Sequence, residues 1–427
     1  MGVAASVAVA GLAACGSDGG GDEGGEEGGT FTIAQYEAPA TPQHKAWEAA
    51  VEQFQEDHPD VKVEFVDING DSINVQGKLL LTGNDVPDVV EVNTGNASIG
   101  QLAAQGLVEN LTEQAEARGW ADKIPSSLSA LARYDELGKA GGGDWFGVPN
   151  TGIYFLMYYN RAMFEDAGIA EPPTTLDELE DVFDTFLAAG QVPVSSNGEF
   201  GLLQLWGQLV AAEGDRELAD SYHFFDSDLT FKGSAFERGT ERLVEWIQKG
   251  YLGDNLAAIT QEQMQTAFSS GEYPMMANGS WYYSLAEQNA SFDWGTFAFP
   301  EAQLTEGASG HLWAVPVNSD NKELAYDWID LTLGEGVQNQ IAEQGELAIA
   351  ADPSAIQDEK LREFASDFDD IVQGDSLMLF PDYPVPGLLQ FLQSELQSFA
   401  NGSTDVDGFL DSFQSFYDDG KEQVLNG

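Results

Sequence analysis

The chain has 427 residues, with 72 Asp and Glu against 17 Lys and Arg, a formal net charge of −55. No basic surface can be assembled from that balance to displace counterions from phosphate, so nucleic acid is excluded as a partner. Hydrophobic residues make up 43% of the chain, with nine Trp, thirteen Tyr and twenty-five Phe, so the charge does not signal disorder and two domains of ordinary size can be filled.

In chain order, the first feature is Leu12-Ala13-Ala14-Cys15, which closes a short apolar run. Cys15 is the single cysteine, so it staples no disulfide. The segment resembles the lipobox of prokaryotic lipoproteins, which implies that Cys15 is lipidated and becomes the mature N-terminus; a plain secretory signal is the alternative. The run is too short to span a bilayer, and residues 1–14 carry no Lys or Arg, so the signal is expected to begin upstream. Residues 16–29 hold eight Gly, five acidic residues and one Ser, the composition of a flexible tether. No later segment has eighteen uninterrupted apolar residues that could cross a membrane. The carboxylate excess, with ten Lys in all, points to adaptation to concentrated salt, which screens self-repulsion.

The body opens with alternating units. Residues 30–36 read as a strand; Trp47, Val51 and Phe54 repeat at helical spacing until His58-Pro59; Val61, Val63 and Phe65 alternate as a second strand. A helix is expected over 73–81, a strand over 87–92 and a short helix over 102–108. A second set has strands at 155–160, 192–194 and 312–317 and helices at 161–167, 202–212, 236–248 and 262–268. Between them Thr175 opens a helix with Glu178 as a capping box. Helices are expected over 322–333, 336–344, 360–368, 388–399 and 406–418. The alternation implies α/β lobes with mostly parallel sheets.

Several stretches together resemble the extracellular solute-binding proteins of carbohydrate ABC importers, the maltose-binding-protein-like group. They are Phe146-Gly147-Val148-Pro149, Tyr158-Tyr159-Asn160-Arg161, Ala167-Gly168-Ile169, Pro172-Pro173-Thr174-Thr175, Ala277-Asn278-Gly279-Ser280-Trp281 and Ala325-Tyr326-Asp327-Trp328-Ile329. The resemblance implies a two-lobed periplasmic-binding-protein-like fold (type II) with a ligand cleft between lobes. One lobe would hold 30–145 plus about 300–330, the other 146–299 plus parts of 331–427. It implies a lipid-anchored monomer on the outer face of the cytoplasmic membrane that passes a carbohydrate to permease subunits. A polyol, phosphorylated polyol or peptide carrier, or a sensor, is the alternative on the same fold.

A sugar is held by aromatics on its faces and amides or carboxylates at its rim. Candidates at strand ends facing the implied cleft are Tyr36, Glu37, Asn93 and Asn96 in the first lobe. Trp206, Trp281 and Tyr282 are candidates in the second, and Asn150, His311 and Trp313 at the crossings, with Asp382 and Tyr383 in a Pro-rich loop. Trp281 is expected in a turn, whereas Trp47, Trp246 and Trp328 sit on apolar helix faces and are assigned to core. The four His are scattered without a zinc-site pattern, so no metal or cofactor is expected. No local motif marks a catalytic pair of carboxylates, so a glycosidase is disfavoured.

Overall fold

The computed structural model describes residues 29–37, 41–68, 78–351 and 356–426. Cys15, most of the tether and the first part of the expected 73–81 helix lie outside the described residues.

The described strands are, in chain order, β1 (Thr30–Gln35), β2 (Lys62–Asp67), β3 (Val89–Val92), β4 (Arg133–Tyr134), β5 (Asp144–Trp145), β6 (Val148–Pro149), β7 (Gly152–Asn160), β8 (Val194–Ser195), β9 (Met275–Gly279), β10 (Trp294–Phe297), β11 (Thr305–Ser309), β12 (Leu312–Ala314) and β13 (Leu377–Met378). One sheet has the order β2-β1-β3-β12-β6, with β1 parallel to β2 and β3, and β12 antiparallel to β3 and β6. β4 and β5 pair by themselves as a small antiparallel sheet, and the other large sheet has the order β13-β11-β7-β9-β8, with β10 also against β7. There β7 is antiparallel to β9, β10 and β11, while β8 follows β9 and β13 follows β11 in parallel. Both sheets are therefore mixed, and the second is less parallel than strand–helix alternation implies. The polar and glycine-bearing stretches Met-Met-Ala-Asn-Gly and Thr-Glu-Gly-Ala-Ser carry little strand signal, yet they supply β9 and β11.

The chain changes sheets between β6 and β7 and returns between β11 and β12. The two crossings are bonded to each other: Asn150 N–H donates to the His311 carbonyl (3.1 Å) and Gly310 N–H to the Thr151 carbonyl (2.8 Å). A Cβ at Gly310 would stand 2.2 Å from Thr151 Oγ1, so only glycine fits this close approach.

Period-two alternation along β7 divides its side chains between two cores. Tyr154, Leu156 and Tyr158 join the cluster that continues into the first lobe, around Trp47, Trp313 and Trp328. Phe155, Met157 and Tyr159 join the second-lobe cluster with Trp206, Trp246 and the helices Leu388–Ala400 and Val406–Asn426. Trp47, Trp246 and Trp328 are fully buried, as their helical spacing implies. Thr175 caps the helix Leu176–Ala188 by accepting from Glu178 N–H (3.1 Å), but Glu178 itself accepts from Thr174, so the capping box is half formed. Asn160 ends β7 and caps the helix Arg161–Asp166 through Met163 N–H.

Candidate functional site

At the inner edge of the first sheet, three elements bring charged and aromatic groups together. Tyr36 and Glu37 follow β1, Glu91 lies within β3, and His311 occupies the return crossing. The Tyr36 and His311 rings meet at 4.1 Å between centroids. His311 Nδ1 stands 3.1 Å from Glu37 Oε1. Glu91 is completely buried and accepts from Tyr36 N–H (2.8 Å), Trp47 Nε1–H (3.2 Å) and Asn150 Nδ2–H (2.7 Å). Burial pushes the Glu91 carboxyl up to about 7, against the opposing pull of His311 and with a further push from Glu37. Glu346, near Glu37, is likewise raised well above the carboxylate range by burial and then by that neighbour.

The second group lies between the two large cores. Leu131, Ala308, Leu379 and Phe380 form a small buried cluster flanked by Ile153, Phe224, Trp281 and Tyr383. Trp281 is half-buried and tilted against Phe380, 6.1 Å between centroids; Tyr383 meets Phe380 edge-on at 5.6 Å. Asp382, half-buried beside Tyr383, is raised to about 6 by burial. Glu306 shares a face of β11 with Ala308 and is buried, and neither of its carboxylate oxygens has a hydrogen-bond partner. Burial and then Asp382 raise its proton affinity well above the usual range.

The lobes meet around this cluster. Asn96 Nδ2 donates to the carbonyls of His223 (3.2 Å) and Pro384 (3.1 Å), and Ala97 N–H to that of Tyr383 (3.3 Å). Gly95, at φ +97°, lets the two backbones approach: a Cβ there would be 2.8 Å from Tyr383 Cβ.

Of the sequence candidates, Tyr36, Glu37 and His311 are brought together on the first lobe, and Trp281, Asp382 and Tyr383 on the second. Asn93 is half-buried just beyond β3. Five others are placed differently. Trp206 is fully buried in the second core, bonded to Thr240 Oγ1 (2.8 Å) and edge-on to Phe409 and Phe413. Trp313 is locked between Trp47 and Trp328. Tyr282 is buried edge-on to Tyr158 with its hydroxyl against Ser269 and the Gln265 carbonyl. None of these three rings can stack on a solute. The amides of Asn96 and Asn150 are consumed within the protein: the first bridges the lobes and accepts from Ala140 N–H, the second holds Glu91. Trp281 stands in a turn, as expected: a single 3-10 turn directly after the buried strand β9. Sequence reasoning missed Glu91 and Glu306. Glu91 carried a signal, a lone charge in the apolar strand Val-Val-Glu-Val; the polar surroundings of Glu306 in β11 gave none.

A cavity of about 370 Å³ lies elsewhere, on the outer side of the first lobe between His58, Asp327 and Gly336. It holds none of the groups above.

Comparison with known proteins places this geometry. Residues 38–339 match the family model described as bacterial extracellular solute-binding protein. A multiple sugar-binding protein of Streptococcus mutans is 24% identical over 283 residues, 64% of this chain and 64% of that protein. A probable sugar-binding periplasmic protein of Mesorhizobium japonicum is 22% identical over 203 residues, 46% of each. The chain thus spans about half to two thirds of the length of these curated relatives. Among solved structures, a chitin oligosaccharide binding protein superposes with a TM-score of 0.77 at 17% identity, covering 92% of this chain and 99% of the other. The GacH receptor of Streptomyces glaucescens, solved unliganded and with acarbose, gives 0.75 at 21%, covering 94% and 99%. RafE in complex with raffinose gives 0.71 at 21%, covering 92% and 99%. These likenesses establish the two-lobed α/β fold, and the family match spans well over half of the sequence: the chain belongs to the bacterial extracellular solute-binding proteins.

Proposed function

We propose that this protein captures a sugar or oligosaccharide between its lobes and delivers it to the permease of an ABC importer. The observation that carries the reading is the pairing of two unlike walls. Tyr36 and His311, with Glu37, stand on one side; Trp281 and Tyr383, with Asp382, stand on the other. Aromatic faces suit the C–H faces of a pyranose, and carboxylates accept from its hydroxyls. Neither wall, as named, contributes a Lys or Arg, which an anionic ligand normally recruits. The names of the relatives, which include sugar-binding proteins and structures with acarbose and raffinose, agree with a carbohydrate ligand. Binding without turnover is the working expectation, since the family is one of binding proteins.

On this reading Cys15 carries a lipid that holds the monomer at the outer face of the membrane, with the glycine tether as spacer. A thermal-shift screen against mono- and oligosaccharides tests the function: a ligand at a hundred times its dissociation constant adds about 2.7 kcal/mol. A clear rise with one glycan class supports the proposal. No rise with any glycan, together with a rise for an amino acid, peptide or polyol, overturns the carbohydrate assignment.

A further inference from the structure

The Glu37, Glu91 and His311 side chains form a set whose function sugar binding alone does not explain. Each offers one donor atom, and the three atoms lie within 4.8 Å of one another. Two donors sharing a first-row ion at 2.0–2.2 Å stand roughly 3.0–3.4 Å apart when adjacent and about 4.2 Å apart when opposite. The His311–Glu37 separation of 3.1 Å already falls in the adjacent range, and ligation of one ion would draw the more distant donors of the set together.

The His311–Glu37 contact has the geometry of two such neighbours. Nδ1 is 3.1 Å from Oε1, an ion-pair distance that also suits two neighbouring ligands of one ion, and the nitrogen is shielded from solvent. Glu91 is fully buried. Glu91 is also oriented from outside the set, by Trp47 Nε1–H and Asn150 Nδ2–H. Such supporting donors fix the direction of a metal-bound carboxylate.

We propose that Glu37, Glu91 and His311 are the protein ligands of a divalent transition-metal site, with zinc or manganese as the fitting class. One imidazole and two carboxylates suit these ions, while an all-oxygen set would suit calcium. Three protein donors leave a coordination position for water or for a hydroxyl of the bound solute. Glu37 and Glu91 belong to the first lobe and His311 to the return crossing, so the ion ties that crossing to the first sheet at the cleft edge.

The test is calorimetric titration of Zn²⁺ and Mn²⁺ into chelator-treated, full-length protein, in molar KCl with millimolar MgCl₂ to occupy diffuse surface carboxylates. One saturable equivalent is expected, weakened by roughly tenfold or more in both His311→Ala and Glu37→Gln. Thermal melts of the metal-free variants establish that they fold, and the wild-type melt is expected to rise with the ion while theirs does not. Absence of a saturable equivalent in the wild type overturns the site. So does an equivalent that both folded variants retain unchanged, which would place the ion among other carboxylates. Sugar binding by the wild type, measured with and without chelator, tests the carbohydrate reading separately from these outcomes.

Discussion

Trp281 and Trp206 show what separates a candidate ligand contact from a core residue. Trp281 is half-buried beside Phe380 and Tyr383; Trp206 is sealed beneath Phe409 and Phe413 with its indole N–H satisfied by Thr240. Trp281→Ala is expected to lower affinity for the identified sugar by about 1–3 kcal/mol while the fold persists. Trp206→Ala is expected to cost about 3–5 kcal/mol of stability with little change in affinity per folded molecule; calorimetry and denaturant unfolding of both variants check the pair. Asn93→Ala should cost less affinity, about 0.5–1.5 kcal/mol for one neutral hydrogen bond. Glu306 gives a pH prediction. Its carboxyl has a folded-state proton affinity raised by burial and by Asp382, so the group stabilises the fold when protonated, and that contribution is lost as pH rises through the folded-state value. Glu306→Gln should therefore gain stability relative to wild type at pH 8, where keeping this carboxyl buried is costly, and none near pH 4. Equal melting temperatures of variant and wild type at both pH values would contradict this.

At the scale of elements, the amphipathic pieces were legible in the sequence and the directions of buried ones were not. Trp47, Val51 and Phe54 mark the inner face of the helix Pro42–Asp57, and the helices Ala235–Lys249 and Leu388–Ala400 lie within a residue or two of their expected spans. The helix Phe200–Glu213 is buried along almost its whole length, so no polar stripe reveals which way Trp206 points, and a cleft position looked as reasonable as a core one. Tyr282 and Trp313 failed for a related reason: an aromatic at a strand end can face the core or the cleft, and the sequence does not say which. Asn96 and Asn150 sit where expected along the chain, but their partners come from Pro384, His223 and Glu91, far away in sequence. The Asn96 bridge gives an element-scale prediction. Asn96→Ala removes both bonds to the second lobe, and each is worth about 0.5–1.5 kcal/mol, so scattering from the variant should show a larger radius of gyration than wild type under the same conditions. Identical profiles would mean that the bridge does not hold the lobes together.

Over the whole molecule, charge and lobe arrangement set the behaviour. With 72 carboxylates against 17 Lys and Arg, and cations such as Arg118 shared among Glu323, Asp327 and Asp330, there are too few cations to give most carboxylates one of their own, and the excess repels. Melting temperature should climb from dilute to molar potassium chloride as screening shortens that repulsion; a flat or falling curve would leave the protein merely acidic. Ligand can favour closed lobes only by binding them more tightly than open ones. The structure holds the lobes in contact through Asn96 and the 380–384 loop, the arrangement a solute gripped by both walls would favour. The most direct measurement is small-angle X-ray scattering of the wild type with and without the sugar found in the screen. The account predicts that saturating sugar reduces the radius of gyration and brings the profile onto the one calculated from this structure. A profile unchanged by a sugar that calorimetry shows to be bound would contradict capture between the lobes.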